Sequence, residues 1–425
     1  MKKKKAPLGH RMKEFVKTSV VWGPLDHNLF FTIIFLNVYG IIMVYSASYN
    51  NSITKNYSYF MNNQLKNVIF GFVIMIVASY VNYHRIVRLG WGWFWLLAAV
   101  AIIAALKTPL AHSELGATRW IKLGPVSFQA AEPIKAAIII FFAYYVSYWG
   151  LNRWYNQLLA CLLAIALLGF LFFFSNNLST VIVLFCICAV IILSSVKKPD
   201  LYLYFLLGLA LIIIAAIFVT VYLLMHQGAE NFRFVRIRAW LHPEEYAADE
   251  GLQAMQARYA IGAGGFWGKG LGQSLIKFKL SYSYNDFILA IICEELGVFG
   301  VIVMMTLFGY LLYRIYKIAQ NAWDIEGKVL AIGVFTQIAL QLLINVMVVT
   351  SVIPTTGVTL PFFSAGGTSV VFLLAELGMV LNVDKYAKER RFFEEAERHV
   401  AQMEQRGGIG AAGWRRRLDS ARTRR

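Results

Sequence analysis

Charge is scarce in this chain and unevenly shared. Charged residues make up 15% of its 425 positions, and Asp and Glu number 23 against 40 Lys and Arg. A soluble domain carries about 25% charged residues. The shortage therefore excludes an ordinary water-soluble globule, as do the 59% hydrophobic content and a mean hydropathy of +0.59. Cysteine is scarcer still. Cys161, Cys186, Cys188 and Cys293 all fall in apolar runs without the paired spacing of a zinc site, and Cys186 and Cys188 point to different sides of a helix. No disulfide framework or zinc centre is indicated. The basic opening MKKKKAPLGHRMKEF lacks a small-residue cleavage site and its first apolar run starts far downstream, so a retained tail is expected and not a signal peptide.

Long apolar sequence is abundant. Continuous runs reach the roughly 20 residues that cross a bilayer as a helix, and their lack of alternation argues against a β-barrel. Ten spans are expected, at 27–47, 65–84, 89–106, 129–148, 154–174, 178–196, 201–225, 286–313, 329–350 and 367–383. The fold class is thus an all-α polytopic membrane protein. A basic N-tail covers 1–26, a ten-helix domain 27–383 with a large outer loop at 226–285, and a basic C-tail 384–425. Most Lys and Arg fall on the cytoplasmic side when both termini are placed there. That rule and attraction to anionic lipid account for the net charge of +17, so nucleic acid is not an expected partner.

The remaining basic residues cluster. Lys107, Arg119 and Lys122 occupy the outer loop between spans three and four, and Arg233, Arg236, Arg238, Arg258, Lys269, Lys277 and Lys279 the long outer loop before span eight. Arg suits phosphate oxygens, and RFVRIRAWLHP alternates arginine with apolar residues, as an amphipathic segment at the membrane interface would. One reading is a site for an anionic, lipidic ligand; the other is a solvated basic loop. Within the spans, Glu132 and Lys135 share a helix face at i, i+3, and Glu294, Glu295 and Glu376 also stand where a charge costs about 2.5–3.5 kcal/mol. Each is either functional or half of an ion pair, and Lys135 is a candidate partner for Glu294 or Glu295.

Glycine gathers in GAGGFWGKGLG (262–272) and SAGGTS (364–369). The first is no phosphate loop, because Ala263 and Gly270 stand where the Walker pattern needs Gly and Ser or Thr. It can still bring backbone close to a ligand. PTTGVTLPFFSAGG (354–367) is expected to be a re-entrant or cavity-lining loop.

Taken in order, several segments resemble one family. They are GIIMVYSAS (40–48), GATRWIKLGPVSFQAAEPIK (116–135), RIRAWLHP (236–243), AIGAGGFWGKGLGQS (260–274), NDFILAIICEELGVFG (285–300) and IPTTGVTLPFFSAGGTS (353–369). The chain resembles the SEDS proteins (shape, elongation, division and sporulation), the group containing FtsW, RodA and SpoVE. The resemblance implies a ten-helix membrane fold and a peptidoglycan glycosyltransferase on the outer face of the bacterial cytoplasmic membrane. Its substrate would be lipid II, the undecaprenyl-pyrophosphate-linked disaccharide-pentapeptide. Its partners would be a class B penicillin-binding protein transpeptidase and other division or elongation proteins. Asp286 matches the family's proposed catalytic residue, a general base for the acceptor sugar's 4-hydroxyl. The leaving pyrophosphate needs cations, and Arg119 beside Trp120, Lys122, Arg233, Arg236, Arg238, Lys269 and Lys277 are the candidates. A divalent cation is compatible with this chemistry, though no carboxylate cluster demands one. Glu294 and Glu295 lie about two turns below Asp286 and are expected to be buried polar anchors. From the residues alone, Asp286 reads equally as a helix N-terminal carboxylate that stabilises the dipole.

Three departures from the family pattern stand out. Leu-Pro-Glu before the Asp is missing from LSYSYND, Gln-Pro-Ser-Glu becomes Gln129-Ala130-Ala131-Glu132, and Pro-Asp becomes Asn176-Asn177. The NNLST and GPVSFQ forms look closer to FtsW than to RodA and point to septal synthesis, with RodA-like elongation as the alternative. The rival functions are a lipid II flippase and a non-catalytic scaffold for the transpeptidase.

Overall fold

The computed structural model describes residues 23–48, 59–109, 111–114, 117–123, 126–175, 177–196, 232–246, 250–278, 284–364, 367–405 and 414–415. The expected span at 201–225 lies outside the described residues, as does the N-tail up to residue 22. The other nine expected spans fall on helices: α1 (His27–Ser48), α2 (Tyr59–Tyr80), α4 (Trp93–Ala105), α5 (Ala131–Trp149), α6 (Trp154–Ser175), α7 (Leu178–Ser195), α10 (Ile288–Asn321), α11 (Ile325–Val349) and α12 (Thr368–Gln405). Among the described residues, six of these are long and apolar enough to cross a membrane. Shorter helices complete the set: α3 (Tyr83–Val87), α8 (Phe232–Leu241) and α9 (Glu250–Gly264).

The antiparallel pair α10 and α11 forms the middle of the bundle. α10 packs on α1, α9 and α11, while α11 also meets α5, α7 and α12. α12 lies along α2, where Gly378 leaves no room for a Cβ against the Met75 carbonyl. Small residues permit such close approach between membrane helices, where dispersion replaces the hydrophobic effect as the driving force.

Two features differ from the expectations. Residues 111–129 build a three-stranded antiparallel sheet, β1 (Ala111–Glu114), β2 (Ala117–Leu123) and β3 (Val126–Gln129) in that order. The run ATRWIKL supplies the β-branched and aromatic residues a strand favours. In register, Trp120 pairs with both His112 and Gln129, and Lys122 with Ser127. The second difference is α12, which runs through the expected end of the last span without a break.

The bundle end opposite Asp286 is tied by charge. Asp324 caps α11 through the Gly327 N–H (2.8 Å) and accepts from the Tyr83 hydroxyl (2.7 Å), with His84 Nε2 at 2.6 Å. Glu326 accepts from Arg88 and Ser147, both at 2.9 Å. Asn382 of α12 binds the Tyr83 N–H (3.0 Å) and the Ser79 carbonyl (2.8 Å). Arg314 pairs with Asp26.

Candidate active site

Asp286 sits in a turn at 284–287, partly exposed, immediately before α10. Phe287 occupies the N-cap position and makes no side-chain cap bond, so Asp286 stands one residue before the cap. The turn is held by its backbone. Asn345 Nδ2 donates to the Asp286 carbonyl and to the Val358 carbonyl, both at 2.9 Å, and Ser364 Oγ donates to the Asn285 carbonyl at 2.9 Å. The Tyr284 ring lies against Phe60 of α2, centroids 4.4 Å apart. Side chains from α11 and from the 354–364 segment thus hold the turn in place.

A polar cleft opens between α5, α7 and α11. It encloses about 350 Å³ including its open mouth, and its lining includes Gln129, Glu132, Lys135, Asn177, Thr180 and Gln341. Gly357, Val358 and Thr359 form another part of the wall. Residues 357–359 of the 354–367 segment therefore line the cleft on one side, while Leu360, Phe362 and Phe363 are buried. Phe362 adopts φ 67°, a left-handed conformation costly for a bulky residue. Gly40 of α1 accommodates its carbonyl, where a Cβ would collide. Glu132 and Lys135 form an ion pair at 2.9 Å and are 4% and 2% exposed.

Glu294 and Glu295 do not meet Lys135, contrary to the sequence expectation. Lys135 is held one turn away on its own helix, and the two glutamates are taken by the segment packed directly on α10. Lys269 Nζ lies 2.8 Å from Glu294, and Lys277 Nζ 3.5 Å from Glu295. Glu294 also accepts from the Ser274 hydroxyl and the Leu275 and Ile276 N–H groups. Glu295 accepts from Ser46 Oγ (2.5 Å) and the Ser274 N–H (3.3 Å). Both glutamates are fully buried, as the depth of EELG implied.

The backbone explains why the loop docks there. Gly297 breaks α10 at φ 64°, ψ −162°. Loop and helix then exchange main-chain bonds across the break: Lys269 and Gly270 donate to the carbonyls of Glu294 and Glu295, and Val298 and Phe299 donate to those of Gly265 and Phe266. Buried backbone groups in a membrane must find partners, and the loop supplies them. A Cβ at Gly264 or Gly268 would strike the Cys293 or Glu295 carbonyl. The close approach that glycine permits is made to the chain's own helix.

The other site candidates are spread over that end of the bundle. Arg119, Trp120 and Lys122 lie on β2, where Trp120 neighbours the cleft residue Gln129 and Lys122 is exposed. Arg233 falls in the first turn of α8 and Arg236 in the middle. Arg236 lines a second small pocket with Trp240, Ser351 and Thr355, and Trp240 Nε1 donates to the Ser351 carbonyl at 2.9 Å. Among the described residues, no group of three or more His, Cys, Asp and Glu stands together as a metal site.

One signal escaped the sequence reading. Gln337, Gln341 and Asn345 are spaced by four and form a polar stripe along apolar α11. Gln337 donates to Glu376 at 2.7 Å, Gln341 lines the cleft, and Asn345 holds the Asp286 turn.

Residues 26–389 match the family profile of FtsW, RodA and SpoVE, described as cell cycle proteins. The chain belongs to this family. FtsW of Bacillus subtilis (strain 168), named a probable peptidoglycan glycosyltransferase, is 32% identical over 374 residues, 85% of this chain and 91% of the relative. Stage V sporulation protein E of the same strain is 33% identical over 372 residues, covering 84% and 96%. Among solved structures, a chain of a peptidoglycan synthase complex that coordinates polymerization and crosslinking superposes with a TM-score of 0.72 at 22% identity, over 86% of this chain and 99% of that one. The rod shape determining protein RodA of Thermus thermophilus gives 0.62 at 22%, over 86% and 98%. The FtsW/RodA/SpoVE fold is thereby the fold of this chain, a polytopic, mostly helical membrane protein.

Proposed function

We propose that this chain is a peptidoglycan glycosyltransferase that polymerises lipid II at the outer face of the cytoplasmic membrane, with Asp286 as general base. One observation carries the reading. Asp286 is a partly exposed carboxylate on a backbone-pinned turn, at the same end of the bundle as the polar cleft. In the reaction the acceptor 4-hydroxyl oxygen attacks the donor anomeric carbon and its proton passes to Asp286. The bond from that carbon to the pyrophosphate breaks with inversion, and the electron pair leaves with the lipid pyrophosphate. Arg119, Lys122, Arg233 and Arg236 are the cations we assign to the leaving group. Lys269 and Lys277 already neutralise Glu294 and Glu295, so we assign them to the scaffold of the site.

The outer-face assignment rests on charge asymmetry, since Arg85, Arg88, Arg314, Lys317 and Lys328 crowd the opposite end. The relatives named FtsW favour a septal role beside a class B penicillin-binding protein. The deciding experiment is polymerisation of purified lipid II by the chain with its transpeptidase, wild type against Asp286→Ala, with matched folding and complex formation. Polymer from wild type alone supports the reading. Equal polymer from both removes Asp286 from the chemistry. Transbilayer movement of lipid II without polymer would favour the flippase, the reading to which a charged pair lining an intramembrane cleft lends itself.

A further inference from the structure

The glycine-rich loop leaves an apolar rim unpartnered. Trp267 is 74% exposed, Leu275 66%, Phe266 55% and Leu271 52%. This rim is continuous with the outward face of α10, because Trp267 stacks near Phe299 (centroids 5.7 Å), which is itself 51% exposed beside Val298. The buried polar groups turn the other way: Ser274 and Lys277 are bonded to the two glutamates, and the partly exposed Lys269 reaches Glu294.

The level of the loop along α10 identifies what covers the rim. Arg314 marks the charged end of the apolar stretch of this helix, and about 20 residues are needed to cross the hydrocarbon. That count sets the other boundary near Glu294. Residues 265 and 266 bond residues 298 and 299, which lie roughly 6–8 Å inside the boundary at 1.5 Å per residue. An amphipathic element resting in a membrane interface buries its apolar face about 5–10 Å. We infer that the loop at 264–275 is inserted into the bilayer leaflet on the Asp286 side, with its rim of Phe266, Trp267, Leu271 and Leu275 among the acyl chains and its socket at the Gly297 break.

The insertion has a functional corollary that rests on the proposed reaction. The loop hangs on α10 through Glu294 and Glu295, eight or nine residues below Asp286 on the same chain segment. Through the Gly297 break it fixes where α10 carries that carboxylate, whose backbone Asn345 of α11 holds from the other side. A lipid-linked pyrophosphate with its sugars must present its reacting carbon at a matching level.

The test reads position and not activity, so its failure is distinct from failure of the glycosyltransferase reading. The full chain, with its native cysteines replaced by alanine, carries a nitroxide at Trp267→Cys, Leu271→Cys or, as a water-exposed reference, Lys122→Cys. It is reconstituted in phosphatidylcholine–phosphatidylglycerol vesicles. Collision rates with oxygen and with a water-soluble nickel chelate are then measured. Labels at 267 and 271 are expected to be at least tenfold better shielded from nickel than the label at 122, while staying open to oxygen. Nickel access at all three positions would overturn the inference. Shielding from both quenchers would also overturn it, by showing the rim packed against protein, a second copy included. Should cysteine removal unfold the chain, brominated-lipid quenching of tryptophan in wild type against Trp267→Phe gives the same answer. A smaller quenched fraction in the variant supports insertion, and no change sinks it.

Discussion

The two ends of the bundle bury similar numbers of charged groups and use them differently. At the His84 end, Asp324 caps a helix and, with Glu326, clamps its neighbours, and the ring of Tyr386 packs on Tyr83 and His84 at 5.6 and 4.8 Å. The charges there close regular structure. At the Asp286 end, Glu294 and Glu295 hold backbone that is neither helix nor strand against a deliberate break in α10. Asn345 and Ser364 do the same for the Asp286 turn. A mid-helix Gly297 and a left-handed Phe362 would be liabilities in regular structure; here they are kept because irregular backbone can carry an accessible carboxylate beside a cleft. One end is built to stay closed, and the other to hold an opening in place.

Substitutions can break that contrast in graded ways. The largest effect is Asp286→Ala, which should cut polymerisation about 10²–10⁴-fold while leaving the thermal melting of the purified protein nearly unchanged. Lys277→Met comes next. It strands Glu295 in a fully buried site and should lower stability by about 3–5 kcal/mol, read as a lost melting transition or severe loss of monodisperse protein. Asp324→Ala, at the other end, removes a cap and its bonds to His84 and Tyr83. A loss of about 2 kcal/mol is expected, with turnover per folded molecule intact. If turnover fell in proportion to that at the Asp286 end, the division of labour would be wrong.

The Asp324 carboxyl also predicts a pH effect. Burial alone would raise it, but the bonds from His84, the Gly327 N–H and Tyr83 outweigh burial and hold it below the usual carboxylate range. Its folded-state value is depressed, so its contribution is full above the unfolded value of about 4 and is lost as pH falls through the folded one. Melting temperature followed below pH 5 should drop more steeply in wild type than in Asp324→Ala. The smallest effect is expected from Gln341→Leu in the cleft wall. Loss of one hydrogen bond, about 1 kcal/mol, should raise KM about fivefold with kcat little changed.

Helices could be placed from apolar length because each crossing of a bilayer demands about 20 apolar residues. Asp286 stood out only through its match to the family motif, since its own surroundings read equally as a helix N-terminal carboxylate. Partners were harder. Lys269 and Lys277 looked like any other outer-loop cations, since nothing local tells a lysine that meets a buried glutamate 18 or 25 residues away from one that meets a phosphate. The sheet at 111–129 was obscured by the helical surroundings, although ATRWIKL carries a strand's residues. The Gln337–Gln341–Asn345 stripe was visible at helical spacing. Uncharged amides cost less than charges in a span, so the stripe marks itself less sharply than the buried glutamates do.

The last helix has a mechanical consequence. Its 38 residues make a rod about 57 Å long, nearly twice the roughly 30 Å of hydrocarbon it crosses. One end starts just past Ser364, whose hydroxyl holds the chain beside Asp286; the other projects well beyond Asp384 and Lys388. Such a rod is a lever arm. A 5° tilt about its midpoint moves each tip by about 2.5 Å, close to the length of a hydrogen bond, so a push applied far from the cleft would be felt at the Asp286 turn.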